Sequence, residues 1–297
     1  MDMGFIDKAG KRALTRLPDL KLLSLARETM PYVSAEADGL SFLFGRTDHS
    51  IIDYMVENKK LWAREEMDFI LGYFEDLSVL PKVLMDIGAN VGTSIIYFRS
   101  RLGSGCKYYA VEPVTENYNL LNANCAINGF YDINTYRCGI SDTPGEANMQ
   151  IDPENMATCK ISGSDNDGLV FAKSEAAYDG ESIKLVTLDG FVEDNHVPED
   201  FPMLFWIDVE GHEPEVFRSG LNIFRNTDCV VFCEYNPRLY KSNGRYESFI
   251  SDIKQCFRRF VCYESAQSGN HPFRDISELD NVAEENGMNQ CNLLLVK

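Results

Sequence analysis

The chain has 297 residues, with 46 acidic against 28 basic ones and a formal net charge of −18 at pH 7. That balance works against nonspecific binding to nucleic acid or an anionic membrane, since both rely on lysine and arginine. The length suits one large α/β domain with additions, or two domains. No run of ~20 apolar residues occurs that would read as a transmembrane helix.

The nine cysteines are scattered and form no C-x-x-C pair, and the four histidines stand far apart, so spacing points to no metal site. Cys229 and Cys233 read as buried free thiols. Asp2 and Asp7 stand where a secretory signal carries basic residues, so the expected location is cytoplasmic.

Residues 1–30 read as a helix interrupted at Pro18, with Leu14, Leu17, Leu20 and Leu25 among its apolar positions. Six basic residues there outnumber four acids. This suits the solvated face of an accessory helix, or a weak membrane-surface or partner contact. Residues 32–56 carry no single period, although Asp38-Gly39 reads as a turn. The expected organisation is a helical extension over 1–58 followed by a main domain over 59–297. A helix is expected from Lys59 to Leu77, with Trp62 read as core in preference to a ligand contact.

Lys82-Val83-Leu84-Met85-Asp86-Ile87-Gly88-Ala89-Asn90-Val91-Gly92-Thr93 reads as a buried parallel strand, a tight glycine turn and a helix start. That handover brings a helix N-terminus close to the carboxyl edge of a sheet, where nucleotide-like ligands bind. Lys107–Val111 reads as the next strand, and Glu112 at its tip is placed to accept hydrogen bonds from ribose hydroxyls. The dinucleotide fingerprint G-x-G-x-x-G needs a second glycine where Asn90 stands. Its absence favours a nucleoside without a pyrophosphate over an NAD-type oxidoreductase, which remains the alternative.

A helix follows from Thr115, its expected cap, to Asn128, with Asn117 in its first turn. A third strand over Ile133–Cys138 ends at a turn containing Ser141 and Asp142. Residues 146–183 break the rhythm with polar turns and read as an insertion carrying a short hairpin beside the substrate pocket. Met203–Asp208 and Asp228–Glu234 read as further parallel strands, and Phe260–Glu264 with Asn292–Lys297 as a closing antiparallel pair.

Asp86-Ile87-Gly88-Ala89-Asn90-Val91-Gly92, Val111-Glu112-Pro113, Thr187-Leu188-Asp189 and Ile207-Asp208-Val209-Glu210-Gly211-His212-Glu213 occur in that order. Together they resemble the FkbM family of S-adenosylmethionine-dependent methyltransferases, over about residues 60–297. The resemblance implies a doubly wound, mostly parallel, seven-stranded sheet of the Rossmann-like class I methyltransferase type. It also implies S-adenosylmethionine as cofactor and O-methylation of a hydroxyl on a small molecule or glycan. Asp86, Gly88, Asn90, Gly92, Glu112, Asn117, Ser141 and Asp142 are the candidate donor-binding residues.

Strand-end acids Asp208 and Glu234, with Glu210 and His212, are the candidate catalytic residues, and Asp208 is the leading base. The plainer reading has Glu210 and His212 bracing the turn through Arg218 or Arg225, and Asp189 organising its loop. A donor-binding module without turnover is the opposing reading from another class.

Overall fold

The computed structural model describes residues 24, 26, 30–45, 50–151, 159–161, 178–199, 202–266 and 272–297. Strands β1 (Tyr32–Ala37) and β2 (Leu40–Gly45) pair antiparallel across Asp38-Gly39. β1 alternates exposed and buried residues throughout, the period of two of a half-buried strand. Asp38 and Gly39 have φ of 52° and 77°, the backbone that a two-residue hairpin loop favours.

This hairpin corrects the helical extension expected through residue 58. Alternation decides residues 32–45, and helix returns only at α1 (Ser50–Asn58). The helix expected over residues 1–30 lies outside the described residues, apart from helical Ser24 and Ala26. Phe42, Phe44, Ile52 and Met55 share one buried cluster with Ile95, Phe98 and Leu121, so the core runs unbroken across residue 58.

The chain then alternates strand and helix: α2 (Arg64–Asp76), β3 (Val83–Ile87), α3 (Thr93–Leu102), β4 (Lys107–Val111), α4 (Thr115–Ile127) and β5 (Ile133–Tyr136). An interruption follows, formed by β6 (Gly139–Ile140), β7 (Gly145–Ile151), β8 (Lys160–Ile161) and β9 (Tyr178–Val186). Alternation resumes with α5 (Leu188–Asp194), β10 (Met203–Ile207), α6 (Glu213–Ser219), α7 (Leu221–Asn226) and β11 (Cys229–Tyr235). The last elements are α8 (Pro237–Ser242), α9 (Tyr246–Cys256), β12 (Arg259–Cys262), β13 (Arg274–Asp275), α10 (Leu279–Glu285) and β14 (Cys291–Val296).

The central sheet runs β13-β12-β14-β11-β10-β3-β4-β5. Its five strands from β11 to β5 are parallel, and β14 is antiparallel to both β11 and β12. This is the expected doubly wound seven-stranded sheet with one addition, the two-residue β13 at its edge. Every residue of β3, β10 and β11 is buried, as helices on both faces require. The strand order reverses around β3, which has β10 on one side and β4 on the other. Ligands bind beyond the strand ends at such a point.

Side chains alternate between two cores. Val83, Met85, Ile87, Phe205 and Ile207 face the cluster under α5 to α9, whereas Leu84, Ala110, Leu204, Trp206 and Phe232 face the cluster under α2 to α4. The register aligns Asp86 with Ala110 on one side and Trp206 on the other, and Trp206 with Phe232.

The hairpin is bound to this frame through asparagine amides. Asn124 accepts the N–H of Leu43 at 2.7 Å and donates to the carbonyls of Leu43 and Val91. Asn128 accepts from Ser41 and donates back to it. Two side chains of α4 thus satisfy the open edge of β2 as a third strand would.

The interruption is a four-stranded sheet in the order β6-β9-β7-β8, with its own apolar cluster of Val114, Met149, Ile151, Ile183 and Leu185. It is larger than the hairpin expected over 146–183; residues 152–158 and 162–177 lie outside the described residues. Thr115 is not a cap: Val114 holds that position, and the backbone and hydroxyl of Thr115 donate to Glu181 of β9.

Candidate active site

Extending the strand register by one pleat gives the site. Asp86 lies level with Trp206 and Ala110, so the next residues on the same face are Gly88, Asp208, Glu112 and, beside Asp208, Glu234. Three carboxylates and one glycine therefore stand in a row along the carboxyl edge, on the side of α3. Asp86 is one pleat lower, about 6.6 Å deeper by strand rise.

Glu112, Gly88 and Asp208 of that row line a cleft of about 350 Å³. Gly88 has φ of 90°, and a Cβ there would lie 1.8 Å from the Asp208 carbonyl oxygen, so only glycine fits the crossing. The N–H of Asp208 donates to the Ile87 carbonyl at 3.0 Å and closes this junction. Gly92 caps α3 with φ of 89° and packs against Leu121. Asn90 adopts the left-handed backbone of a fingerprint glycine (φ 50°) yet keeps a side chain, and its buried Oδ1 has no partner among the described residues.

Glu112 is 4% exposed and accepts the N–H of Asn90 at 2.9 Å through Oε2 and that of Val114 at 2.8 Å through Oε1. Each oxygen keeps a lone pair for a further donor. The Asn117 amide also bonds Glu112, and both residues line the cleft. Burial, only partly offset by these donors, raises Glu112 to about 7.

Asp86 is placed differently from its expected donor contact. It is fully buried, does not line the cleft, and accepts the Ser94 hydroxyl at 2.5 Å, while its Oδ1 has no partner among the described residues. Burial pushes it up to about 7, with Asp208 adding repulsion. It acts from beneath, by fixing the first turn of α3.

Ser141 and Asp142 also depart from expectation. The cleft is lined at this point by Cys138, Gly139 and Ile140, and the two polar residues line a neighbouring cavity. His212 forms the partition, lining both spaces. Its Nε2 is 3.0 Å from the Ser141 hydroxyl, and its Nδ1 is 3.4 Å from Glu215, which Arg245 holds at 2.7 Å. Burial, then the Arg245 charge, lowers His212 to about 4, so it is neutral at pH 7. Arg218 pairs instead with Asp252, and Arg225 with Gln255.

Asp208 is reached by solvent through the cleft and walled by protein on its other sides. Glu234 stands behind it, 9% exposed and off the cleft wall. Glu210 lines the cleft with φ of 54°, followed by Gly211 at 92°.

That strained turn is held by Glu213, a residue not singled out from sequence. It is fully buried and accepts the N–H groups of Val209 and Gly211 and the Tyr240 hydroxyl. Its signal was the acid closing I-D-V-E-G-H-E at a helix start, where free N–H groups need an acceptor. Atoms of Asp208, Glu213 and Glu234 lie within 4.8 Å of one another. Burial first, then mutual repulsion, holds Glu213 and Glu234 above the ordinary carboxylate range, and burial does so for Asp208. Such a group suits shared protons, and it is also compact enough for one divalent cation.

Asp189 accepts the N–H groups of Asn222 and Ile223 at the start of α7, so it organises the loop. Trp62, expected in the core, is 50% exposed on the cleft wall, in a T-shaped contact with the Tyr54 ring at 5.2 Å between centroids. No helix among the described residues is long and apolar enough to cross a membrane.

The sequence profile of the Methyltransferase FkbM domain matches residues 86–261. The hexuronic acid methyltransferase AglP of Haloferax volcanii is 26% identical over 169 residues, 57% of this chain and 62% of that protein. The chain thus spans less than two thirds of that relative's length. Among solved structures, the FkbM methyltransferase of Methylobacillus flagellatus is 11% identical with a TM-score of 0.41, covering 72% of this chain and 43% of that one. A putative O-methyltransferase of Klebsiella pneumoniae is 11% identical with a TM-score of 0.43, covering 80% and 81%. The matched profile takes in more than half of the chain, from Asp86, one pleat beneath the cleft, into β12, and on that ground the chain belongs to the FkbM methyltransferase family.

Proposed function

We propose that the chain is an S-adenosylmethionine-dependent O-methyltransferase acting on a hydroxyl of a small molecule or glycan. The observation that carries this reading is the row Glu112, Gly88, Asp208 and Glu234 along one sheet edge. A nucleoside fits its first half: Glu112 has lone pairs for two ribose hydroxyls, and the Asn90 side chain stands where a pyrophosphate would need bare backbone. The first turn of α3, with Thr93 and Ser94 on the cleft wall, offers N–H groups to a carboxylate. The unpartnered Asn90 Oδ1 offers an acceptor to an ammonium or hydroxyl donor.

When bound, S-adenosylmethionine supplies a methyl group activated by its sulfonium charge. The protein's work is then to hold an acceptor oxygen in line and to take its proton. Asp208 is the proposed base, accepting the hydroxyl proton on a carboxylate oxygen. Its raised affinity for protons brings it closer to the working pH, where general bases contribute ~10²–10⁴-fold. Glu213 keeps residues 209–211 in place, and Glu234, with an atom within 4.8 Å of Asp208, sets a second acid beside the base. Glu210, on the cleft wall, is placed to accept from a second hydroxyl. His212, neutral and bonded to Ser141, is assigned to position the partition between the cavities.

The sugar acid named for the Haloferax relative favours a glycan-type hydroxyl as acceptor. Transfer of radiolabel from methyl-labelled S-adenosylmethionine to hydroxylated acceptors tests the proposal. Donor binding without transfer to any of them would leave a donor-binding module instead.

A further inference from the structure

Trp62 is the observation that the donor site leaves unused. Half of its surface is open, which is uncommon for so large an apolar side chain, and it lines the cleft. The indole N–H has no hydrogen-bond partner among the described residues. Its position is nevertheless fixed. Tyr54 packs edge-on against it at 81°, the N–H of Leu61 donates to Asp38 at 2.9 Å, and Arg64 pairs with Asp38 at 3.2 Å. Lys59 and Ala63, on either side, hold left-handed backbone at φ of 56° and 54°. Non-glycine residues kept in that region need surroundings that over-determine them, and they cluster where a ligand is clamped. The β1–β2 hairpin turn thus serves as the brace of an aromatic platform.

We infer that Trp62 is the acceptor platform of the cleft, and that the acceptor is an uncharged pyranose ring stacked on the indole. This rests on the methyltransferase reading above. An indole face carries negative quadrupole, and the C–H face of a sugar ring offers it a flat, slightly positive, apolar surface. Met149, Ile161 and Ile183 of the four-stranded sheet add an apolar stretch to the same cleft, on which the rest of the ring can pack. Asp208 and Glu210 both line the cleft, and their carboxylate oxygens can accept from the hydroxyls of a polyhydroxylated partner.

Charge then selects within the sugars. The described lining carries Glu112, Asp208 and Glu210 and no lysine or arginine. A carboxylate brought into this cleft would face like charge with no lysine or arginine of the described lining to pair it, which rejects it more strongly than a missing contact would. The cleft therefore favours a neutral sugar over the uronate that the name of the Haloferax relative specifies.

Steady-state methyl transfer from labelled donor to paired methyl pyranosides and methyl pyranosiduronates of the gluco, galacto and manno series, with catechol as a flat control, tests this. The wild type is expected to methylate at least one neutral pyranoside with kcat/KM about tenfold or more above its uronate partner and above catechol. Trp62→Ala is expected to raise the pyranoside KM about tenfold, with kcat and the calorimetric Kd for S-adenosylhomocysteine within twofold, and Trp62→Phe to restore most of the loss. Preference for a uronate or for catechol, an unchanged KM in Trp62→Ala, or donor binding with no pyranoside turned over would each overturn it. Failure to bind S-adenosylhomocysteine at all would instead overturn the methyltransferase reading on which it rests.

Discussion

The two halves of the cleft are built in opposite ways. The proposed donor half comes from one short stretch, Ile87 to Ser94, with Glu112 at the tip of the next strand and Asn117 in the helix that follows it, and its layout follows from strand register and a tight turn. The proposed acceptor half is assembled from Ile51, Trp62, Met149, Ile161 and Ile183, residues brought together from segments far apart in the chain. One half is a fixed consequence of the sheet, and the other is an attachment to it. A single sheet can thus keep its donor chemistry while the appended walls change what is methylated.

That contrast makes separable predictions. The largest effect should come where the halves meet: Asp208→Asn is expected to lower kcat by ~10²–10⁴-fold while leaving the donor Kd within about threefold. Equal losses in both would place Asp208 in the donor half. Next in size is Gly88→Ala. Its Cβ would overlap the Asp208 carbonyl, and a loss of at least about 3 kcal/mol in urea unfolding is expected, with donor binding lost too. A well-folded, donor-binding variant would mean the β3 and β10 ends do not cross as described. Glu112→Gln removes the charge and one acceptor. Its donor affinity should fall about 10- to 100-fold while acceptor KM at saturating donor stays within twofold.

The smallest expected effect is one of pH. Burial raises both Asp86 and Glu112 to about 7, so the folded protein holds protons that the unfolded chain has released above its ordinary carboxylate range near pH 4. Their contribution to stability is present below that range and is lost as pH rises through about 7. His212, lowered to about 4, acts in the opposite sense as a single group. The ligand-free Tm should therefore fall between pH 5 and 7.5, and the rise in Tm caused by S-adenosylhomocysteine should grow over the same interval. A ligand-free Tm that climbs across this window would contradict the protonated site.

Where the sequence was legible, the reason is local. Gly88, Gly92 and Glu112 are placed by a strand, a turn and the next strand, and those short-range rules carried their positions at the sheet edge and the succession of parallel strands. Asp86 was misjudged by one pleat: strand-end acids look alike in sequence, and only the pairing of Asp86 with Trp206 and Ala110 shows that it lies below the row. Ser141 and Asp142 were one turn too far along, because Gly139 and Ile140 pair with β9 before the chain leaves the cleft. Trp62 was assigned to the core on composition, yet its exposure depends on a hairpin whose alternation was diluted within residues 32–56. Glu213 needed the observation that residues 209–211 fold back over it.

The central claim, that this sheet edge grips a sulfonium nucleoside, is most directly tested by isothermal titration calorimetry of the whole chain with S-adenosylhomocysteine and, separately, with a nicotinamide dinucleotide. One-to-one binding of the nucleoside, with no heat from the dinucleotide, is the expected result. Heat from the dinucleotide alone would contradict it.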